Sequence, residues 1–212
     1  MKSQVPLLDP AACRTRILEY NSERYRGFGT NVEIDSRGYA VFSSGISRDR
    51  NQLIQQVLFV GEVYGGAQAR FLPGGYKAES ERITGKLMID LEGYWSLLAA
   101  SRPLVETIPL EQSLERLLSP FDATKRWFVW GTKFLQFLRP DTFPIVDSRV
   151  TKVLGLDEGG SMGRRYHRAM RVIREVVNRN FDLLEELRIW DERRCPSVLK
   201  VLDKVLYVQG GN

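Results

Sequence analysis

Cysteine and histidine are almost missing from this chain. Its 212 residues hold two cysteines, Cys13 and Cys195, and a single histidine, His167. So few soft donors cannot build a cysteine-ligated iron–sulfur cluster or an ordinary zinc site. A carboxylate magnesium site stays open by composition, but no clustered motif marks one, so no metal or cofactor is expected. The two cysteines lie far apart and read as two buried thiols in a reducing compartment rather than a disulfide. Long apolar runs are absent too; none approaches the ~20 residues that a membrane span needs. The opening MKSQVPLLDP has no apolar signal core, so the expectation is a soluble, cytoplasmic monomer with no membrane partner.

What remains is a globular composition, 43% hydrophobic and 27% charged, with a net charge of +5. A modest basic excess suits a polyanionic partner, and its distribution says more than its size. Residues 120–180 carry 12 Lys/Arg against 6 Asp/Glu, an excess larger than that of the whole chain.

The periodicities are mostly helical. Residues 9–25 read as a helix capped by Asp9 with Pro10 at its first position. Alternating Val32 and Ile34, then Ser-Arg-Gly, then Tyr39, Val41 and Phe42 predict a short β-hairpin. Asn51–Val63 returns to helical spacing, and the glycines and Pro73 of residues 61–76 predict a loop. Residues 77–99 predict one long helix. Further apolar stripes follow at Leu110–Leu118, Tyr166–Val177, Leu183–Trp190 and Val198–Leu206, with Gly210-Gly211 as a stop. The expectation is a mainly α fold with a small β element near the N-terminus.

Residues 126–156, RWFVWGTKFLQFLRPDTFPIVDSRVTKVLGL, concentrate the chemistry. Residues 122–131 predict a helix halting at Gly131, Lys133 starts a second, and Pro140 ends it. Phe143–Val146 is held extended by Pro144. Asp147 falls where a cap belongs, and Gly155 fits the far end of that helix. Taken singly, Asp147 is an ordinary N-cap and Lys133 a surface charge. Taken together they have a use. A lysine in a first helical turn faces the positive end of the dipole, which favours the neutral, nucleophilic amine. A carboxylate at a helix start sits with the dipole and can stabilise an oxocarbenium-like centre or accept a proton.

GTK followed by an apolar helix and then FPIVDSRVTKVLGL resembles the catalytic segment of the helix-hairpin-helix DNA glycosylases. Gly131, Thr132 and Lys133 fall on that superfamily's hairpin and Schiff-base lysine. Pro144, Val146, Asp147 and Val150 fall on its aspartate strip. More closely, TKFLQFLRPDTFPIVDSRV is similar to a bacterial group akin to the 8-oxoguanine glycosylases, and VLKVLDKVLYVQGG to that group's closing helix. Where the superfamily's hairpin reads Leu-Pro-Gly-Val-Gly, this chain reads Trp127-Phe128-Val129-Trp130-Gly131. The first hundred residues align with nothing.

The resemblance implies a two-lobed helical bundle with a helix-hairpin-helix element, forming a single glycosylase-like domain over residues 1–212. Residues 1–108 would form one lobe and 109–212 the other. It implies an enzyme that flips a modified base from double-stranded DNA in the bacterial cytoplasm or nucleoid and excises it. Asp147 would be the catalytic carboxylate and Lys133 the Schiff-base amine that adds lyase activity. Oxidised guanine is the implied base; a hypermodified phage base, excised in antiviral defence, competes with it. Phosphate contacts would come from Gly131, Thr132, Lys125, Arg126, Arg149, Lys152 and Arg168, and base stacking from Trp95, Trp130 and Phe143. The alternative is a non-catalytic DNA-binding module of the same fold.

Overall fold

The computed structural model describes residues 7–24, 28–64, 75–121, 127–156, 159–192 and 195–211. Among them eleven α-helices and one 3-10 turn make a mainly α bundle with no strand. The helices are α1 (Pro10–Ser22), α2 (Asn31–Val41), α3 (Arg50–Tyr64), α4 (Gly75–Ile89), α5 (Leu91–Ala100) and α6 (Glu111–Leu118). After the 3-10 turn Ser119–Phe121 come α7 (Trp127–Leu138), α8 (Ser148–Leu154), α9 (Met162–Arg179), α10 (Phe181–Trp190) and α11 (Val198–Gly211). No helix among the described residues is long and apolar enough to cross a membrane. Both cysteines are free and buried, as their spacing suggested.

The architecture is organised by α11. It packs against α1, α8, α9 and α10. It buries Leu199, Val201, Leu202, Val205 and Leu206, but also Lys200, Asp203 and Lys204. A helix buried on every side is a core helix, and charges inside one need fixed partners. Those partners define the candidate site below.

Three sequence expectations are corrected. The predicted β-hairpin over residues 31–45 is helix α2. Its start is a capping box: Thr30 Oγ1 accepts from the Glu33 amide at 3.3 Å, and Glu33 Oε2 accepts from the Thr30 amide at 2.7 Å. Burial then follows helical spacing, with Asn31, Ile34, Asp35, Gly38 and Phe42 inside. The alternation of Val32 and Ile34 was too short a signal to outweigh that box. Gly38 is needed because the Phe137 ring lies where a Cβ would stand. The one extended pairing nearby is the isolated bridge of Arg24 with Thr30, just before α2.

The second correction concerns the hairpin at Gly131. Trp127–Leu138 is one continuous helix, so Lys133 is in its interior and not at a start. Without the superfamily's proline and first glycine, nothing in Trp-Phe-Val-Trp-Gly interrupts the helix. Gly131 instead permits close packing: a Cβ there would stand 2.8 Å from Leu118 Cδ2 and 3.2 Å from the Phe121 ring. Among the described residues, no hairpin separates two helices at Gly131. Its proposed first helix over residues 122–131 starts, among the described residues, at Trp127.

The third is the single long helix over residues 77–99, which is α4 and α5 meeting at Asp90. The break is a local turn, with Asp90 at φ −134° and ψ 47°. Its carboxylate lies over Gly93, the one residue type with room beneath it, and accepts from Arg116 of α6 at 2.7 Å.

Candidate active site

Asp147 caps α8 as its position predicted. Its Oδ1 accepts from the amides of Arg149 and Val150, both at 3.0 Å, in extended backbone at φ −107° and ψ −174°. Gly155 closes the same helix in the left-handed conformation, at φ 59°. Two orphan amides are thereby satisfied by one carboxylate oxygen, which leaves Oδ2 outside the cap.

Lys133 is brought to this cap by its neighbours. Thr132 Oγ1 donates to Val129 O at 3.1 Å within α7 and accepts from the Val146 amide at 3.3 Å. The residue preceding the lysine is thus bonded to the residue preceding the aspartate, so the two side chains leave adjacent backbone. Lys133 and Asp147 are both buried. Burial pulls the Lys133 amine below its ordinary lysine value; Asp147 and Asp203 oppose that pull, and the Lys200 cation adds to it. Lys133 is thus easier to deprotonate than an ordinary lysine, through desolvation and a second lysine and not through a helix dipole.

Behind this pair lies a buried polar network that the motif did not announce. Lys200 Nζ donates to Asp203 Oδ2 at 2.8 Å and to Tyr20 OH at 2.9 Å, and lies 3.0 Å from Asp35 Oδ2. Tyr20 OH donates to that same Asp35 oxygen at 2.9 Å. Burial works against the Lys200 charge, but Asp203 and Asp35 outweigh it and hold the ammonium well above its usual value. Gln136, one turn beyond Lys133, donates from Nε2 to Tyr39 OH at 2.6 Å. Its Oε1 is buried and finds no donor among the described residues, so this space is polar and incompletely satisfied.

A second pair extends the network. Lys204 Nζ donates to Asp191 Oδ2 at 2.6 Å and to Asn21 Oδ1 at 2.7 Å. Cys195 Sγ donates to the same Asp191 oxygen at 3.4 Å. Burial pushes the Cys195 thiol up to about 12, which makes it inert as a nucleophile.

The remaining sequence candidates are placed as follows. Gly131 and Thr132 are buried inside α7. Lys125 and Arg126 lie outside the described residues. The Arg149 guanidinium stacks on the Tyr207 ring at 3.8 Å and donates to Tyr207 O at 3.3 Å, which docks α8 on α11. Gly210 lets this happen, since a Cβ there would stand 2.7 Å from Arg149 O. Lys152 is exposed on the last turn of α8.

Arg168 donates from Nη2 to Gly159 O and, with Arg171, lines a cavity of about 270 Å³ floored by Leu156, Ala169 and Val172. Neither Lys133 nor Asp147 lines that cavity. Trp130 is core: its Nε1 donates to Val57 O at 3.1 Å, and its ring lies against Gly61. Phe143 is core as well, stacked on Tyr166, whose hydroxyl donates to Pro144 O at 2.7 Å. Trp95 is half-buried beside Gly45 with the Arg48 guanidinium over its ring.

The site residues missed by motif reading are Tyr20, Asp35, Tyr39, Gln136, Lys200 and Asp203. One signal was available. In VLKVLDKVLYVQGG, Lys200, Asp203 and Lys204 interrupt a helix that is otherwise apolar all round, and such charges must be buried with partners.

No family model, curated protein or solved structure matches this chain. The chemistry must be argued from the site: a desolvated amine, an amide-anchored carboxylate, and a fixed ion cluster behind them.

Proposed function

We propose that the chain is a DNA glycosylase that excises a modified base through Asp147 and Lys133. The observation that carries this reading is the Thr132–Val146 hydrogen bond, which sets a buried, neutral-favouring amine beside a helix-capping carboxylate. An amine nucleophile has to be uncharged to attack, and desolvation shifts Lys133 towards that state. A carboxylate fixed by backbone amides is pre-organised to face developing positive charge. The resemblance of the Asp147 strip to that of base-excising enzymes names the bond, and the basic excess of residues 120–180 suits a DNA partner.

In the reaction, the C1′–N bond of a flipped nucleotide breaks and its electron pair leaves with the base, which takes up a proton. Asp147 stabilises the oxocarbenium-like sugar. The Lys133 nitrogen then bonds to C1′ and gives up a proton, and opening of the sugar ring yields the protonated imine. Loss of a C2′ proton from that imine, with expulsion of the 3′ phosphate, would nick the strand; hydrolysis would leave an abasic site. The substrate class is a modified base, oxidised guanine or a hypermodified phage base.

An excision screen over oxidised, alkylated, deaminated and phage-modified duplexes tests the reading, with borohydride trapping on every positive substrate. Wild type should excise and trap, Lys133→Ala should lose trapping, and Asp147→Asn should lose roughly 10²-fold or more in excision rate. Excision by Asp147→Asn at the wild-type rate would overturn the assignment. So would salt-sensitive duplex binding with no abasic product on any of these substrates.

A further inference from the structure

The cavity beside Gly155 is separate from Lys133 and Asp147, and its walls carry a chemistry of their own. It lies between the turn that ends α8 and one face of α9, with a volume of about 270 Å³. Its floor is apolar: Ala169 is buried, while Leu156 and Val172 are only half-buried. Its rim carries Arg168, Arg171 and Glu175. Sites that enclose a drug-sized molecule run to roughly 300–1,000 Å³, so this one admits a single apolar side chain and not a cofactor.

Most arginines of α9 are engaged within the fold. Arg164 donates from Nε to Glu111 Oε1 at 3.1 Å, and Arg174 donates to the carbonyls of Val105 and Glu106 at 3.1 and 2.9 Å. The Arg165 guanidinium lies over the Phe128 ring at 4.2 Å, and Arg168 donates to Gly159 O. Arg171 differs: it is exposed, and among the described residues it makes no hydrogen bond or ion pair. Glu175, one turn on, is exposed and equally unengaged. An arginine four residues before a glutamate is the less favourable order for a helical pair. The rim therefore presents a cation and a carboxylate about 6 Å apart along the helix axis, over an apolar floor.

We propose that this cavity docks the C-terminal residue of an acidic peptide segment of another protein. The apolar side chain of that residue fills the space over Leu156 and Val172. Its terminal carboxylate meets Arg171, whose guanidinium fork matches a carboxylate, and its amide N–H donates to Glu175. One residue thus supplies an anion, a donor and an apolar group, each answering one feature of the cavity. The rim also favours acidic neighbours in the peptide. Arg168 and Arg171, with exposed Lys152 on the last turn of α8, outnumber Glu175, and a free zwitterionic amino acid leaves that excess uncompensated. A phosphate backbone would answer the arginines but meet Glu175 with like charge. The inference does not rest on the excision chemistry, since neither Lys133 nor Asp147 lines the cavity.

Fluorescence anisotropy on the intact chain tests this, with a fluorescein-labelled peptide Asp-Asp-Glu-Asp-Gly-Leu carrying a free C-terminus. Binding should saturate, and should weaken about tenfold or more when the C-terminus is amidated or the last Leu becomes Gly. Arg171→Ala and Val172→Asp should each weaken it to a similar degree, with wild-type helicity checked by circular dichroism. Arg171 is exposed, so Arg171→Ala decides alone if Val172→Asp does not fold. Equal binding of the free and amidated peptides would overturn the proposal, as would no saturation up to millimolar peptide. N-acetyl-leucine that competes as well as the peptide would assign the cavity to a free acid. A single-stranded oligonucleotide that displaces the peptide and needs Arg171 to bind would assign it to DNA. Either result overturns the peptide, and neither bears on excision, which is read from abasic product.

Discussion

Two regions of this molecule each bury a lysine and treat it in opposite ways. In the strip from α7 to α8, burial outweighs the pull of Asp147, Asp203 and Asp35 on Lys133, so its amine is pulled down. In the crossing of α1, α2 and α11, Lys200 is desolvated at least as far but is met by Asp203, Asp35 and Tyr20, and its ammonium is held up. Burial is common to both, so the difference lies in whether the carboxylates outweigh it, as Asp203 at 2.8 Å and Asp35 at 3.0 Å do for Lys200. A buried ammonium is held up where carboxylates outweigh burial and pulled down where burial outweighs them. The second arrangement is a fixed strut that ties the N-terminal helices to the core.

The comparison can be broken most forcefully at the strut. Lys200→Met leaves Asp35 and Asp203 buried without their cation, and urea unfolding at neutral pH should show a loss of ~3–5 kcal/mol. The stability that Lys200 contributes is present below the ordinary lysine value and is lost as pH rises through its raised folded value. A loss below ~1 kcal/mol would mean that the ion cluster is not what holds α1 and α2 to α11.

Next in size is the tie that sets the strip. Thr132→Val keeps the shape but removes the acceptor for the buried Val146 amide, at an expected cost of ~1–3 kcal/mol by denaturant unfolding. On a verified substrate, excision should fall further than that stability loss explains, because Asp147 loses its placement beside Lys133. Unchanged stability and activity together would show that the Thr132–Val146 contact positions nothing.

The N-terminal region can be tested at its cap. Thr30→Ala removes half of the capping box of α2 and should lower stability by ~1 kcal/mol, read from the midpoint of a urea titration. An unchanged midpoint would remove the cap as the reason α2 is helical.

The smallest effect at neutral pH is expected at Lys133 itself, with an informative sign. A folded value lowered below 10.5 means that the unfolded chain binds this proton more readily. Wild-type stability should therefore gain, from this residue, as pH rises through that window, and Lys133→Met should lack the gain. Lys133→Met should be neutral or stabilising at pH 7, whereas Lys200→Met is costly. A large loss at Lys133→Met would mean that its ammonium is as firmly paired as that of Lys200.

Much of the local structure was legible because its causes are local. Asp9 and Asp147 cap helices, Gly155 ends one, and the stripes of α6, α9, α10 and α11 face the core except at exposed Leu110 and Trp190. The α2 helix was legible in principle, since Thr30 and Glu33 stand at capping-box spacing; a two-residue alternation of apolar side chains obscured it. Gly131 was misleading for a different reason. A glycine can mark a break or a close approach, and only the presence of Leu118 and Phe121 above it distinguishes them.

The sequence alone determined the mainly helical class, the cap at Asp147, the two free thiols and the concentration of basic residues along 120–180. Each of these follows from spacing within a few residues or from counting. Tertiary structure alone decided which charges are buried together. Lys133, Asp147 and Lys200 span three helices, and the Lys200 partners Tyr20 and Asp35 come from the far end of the chain. Whether a lysine is a surface charge, a strut or a nucleophile depends on the dielectric and on the oxygens around its nitrogen. Those are set by what packs against it from elsewhere in the chain, which no local pattern encodes.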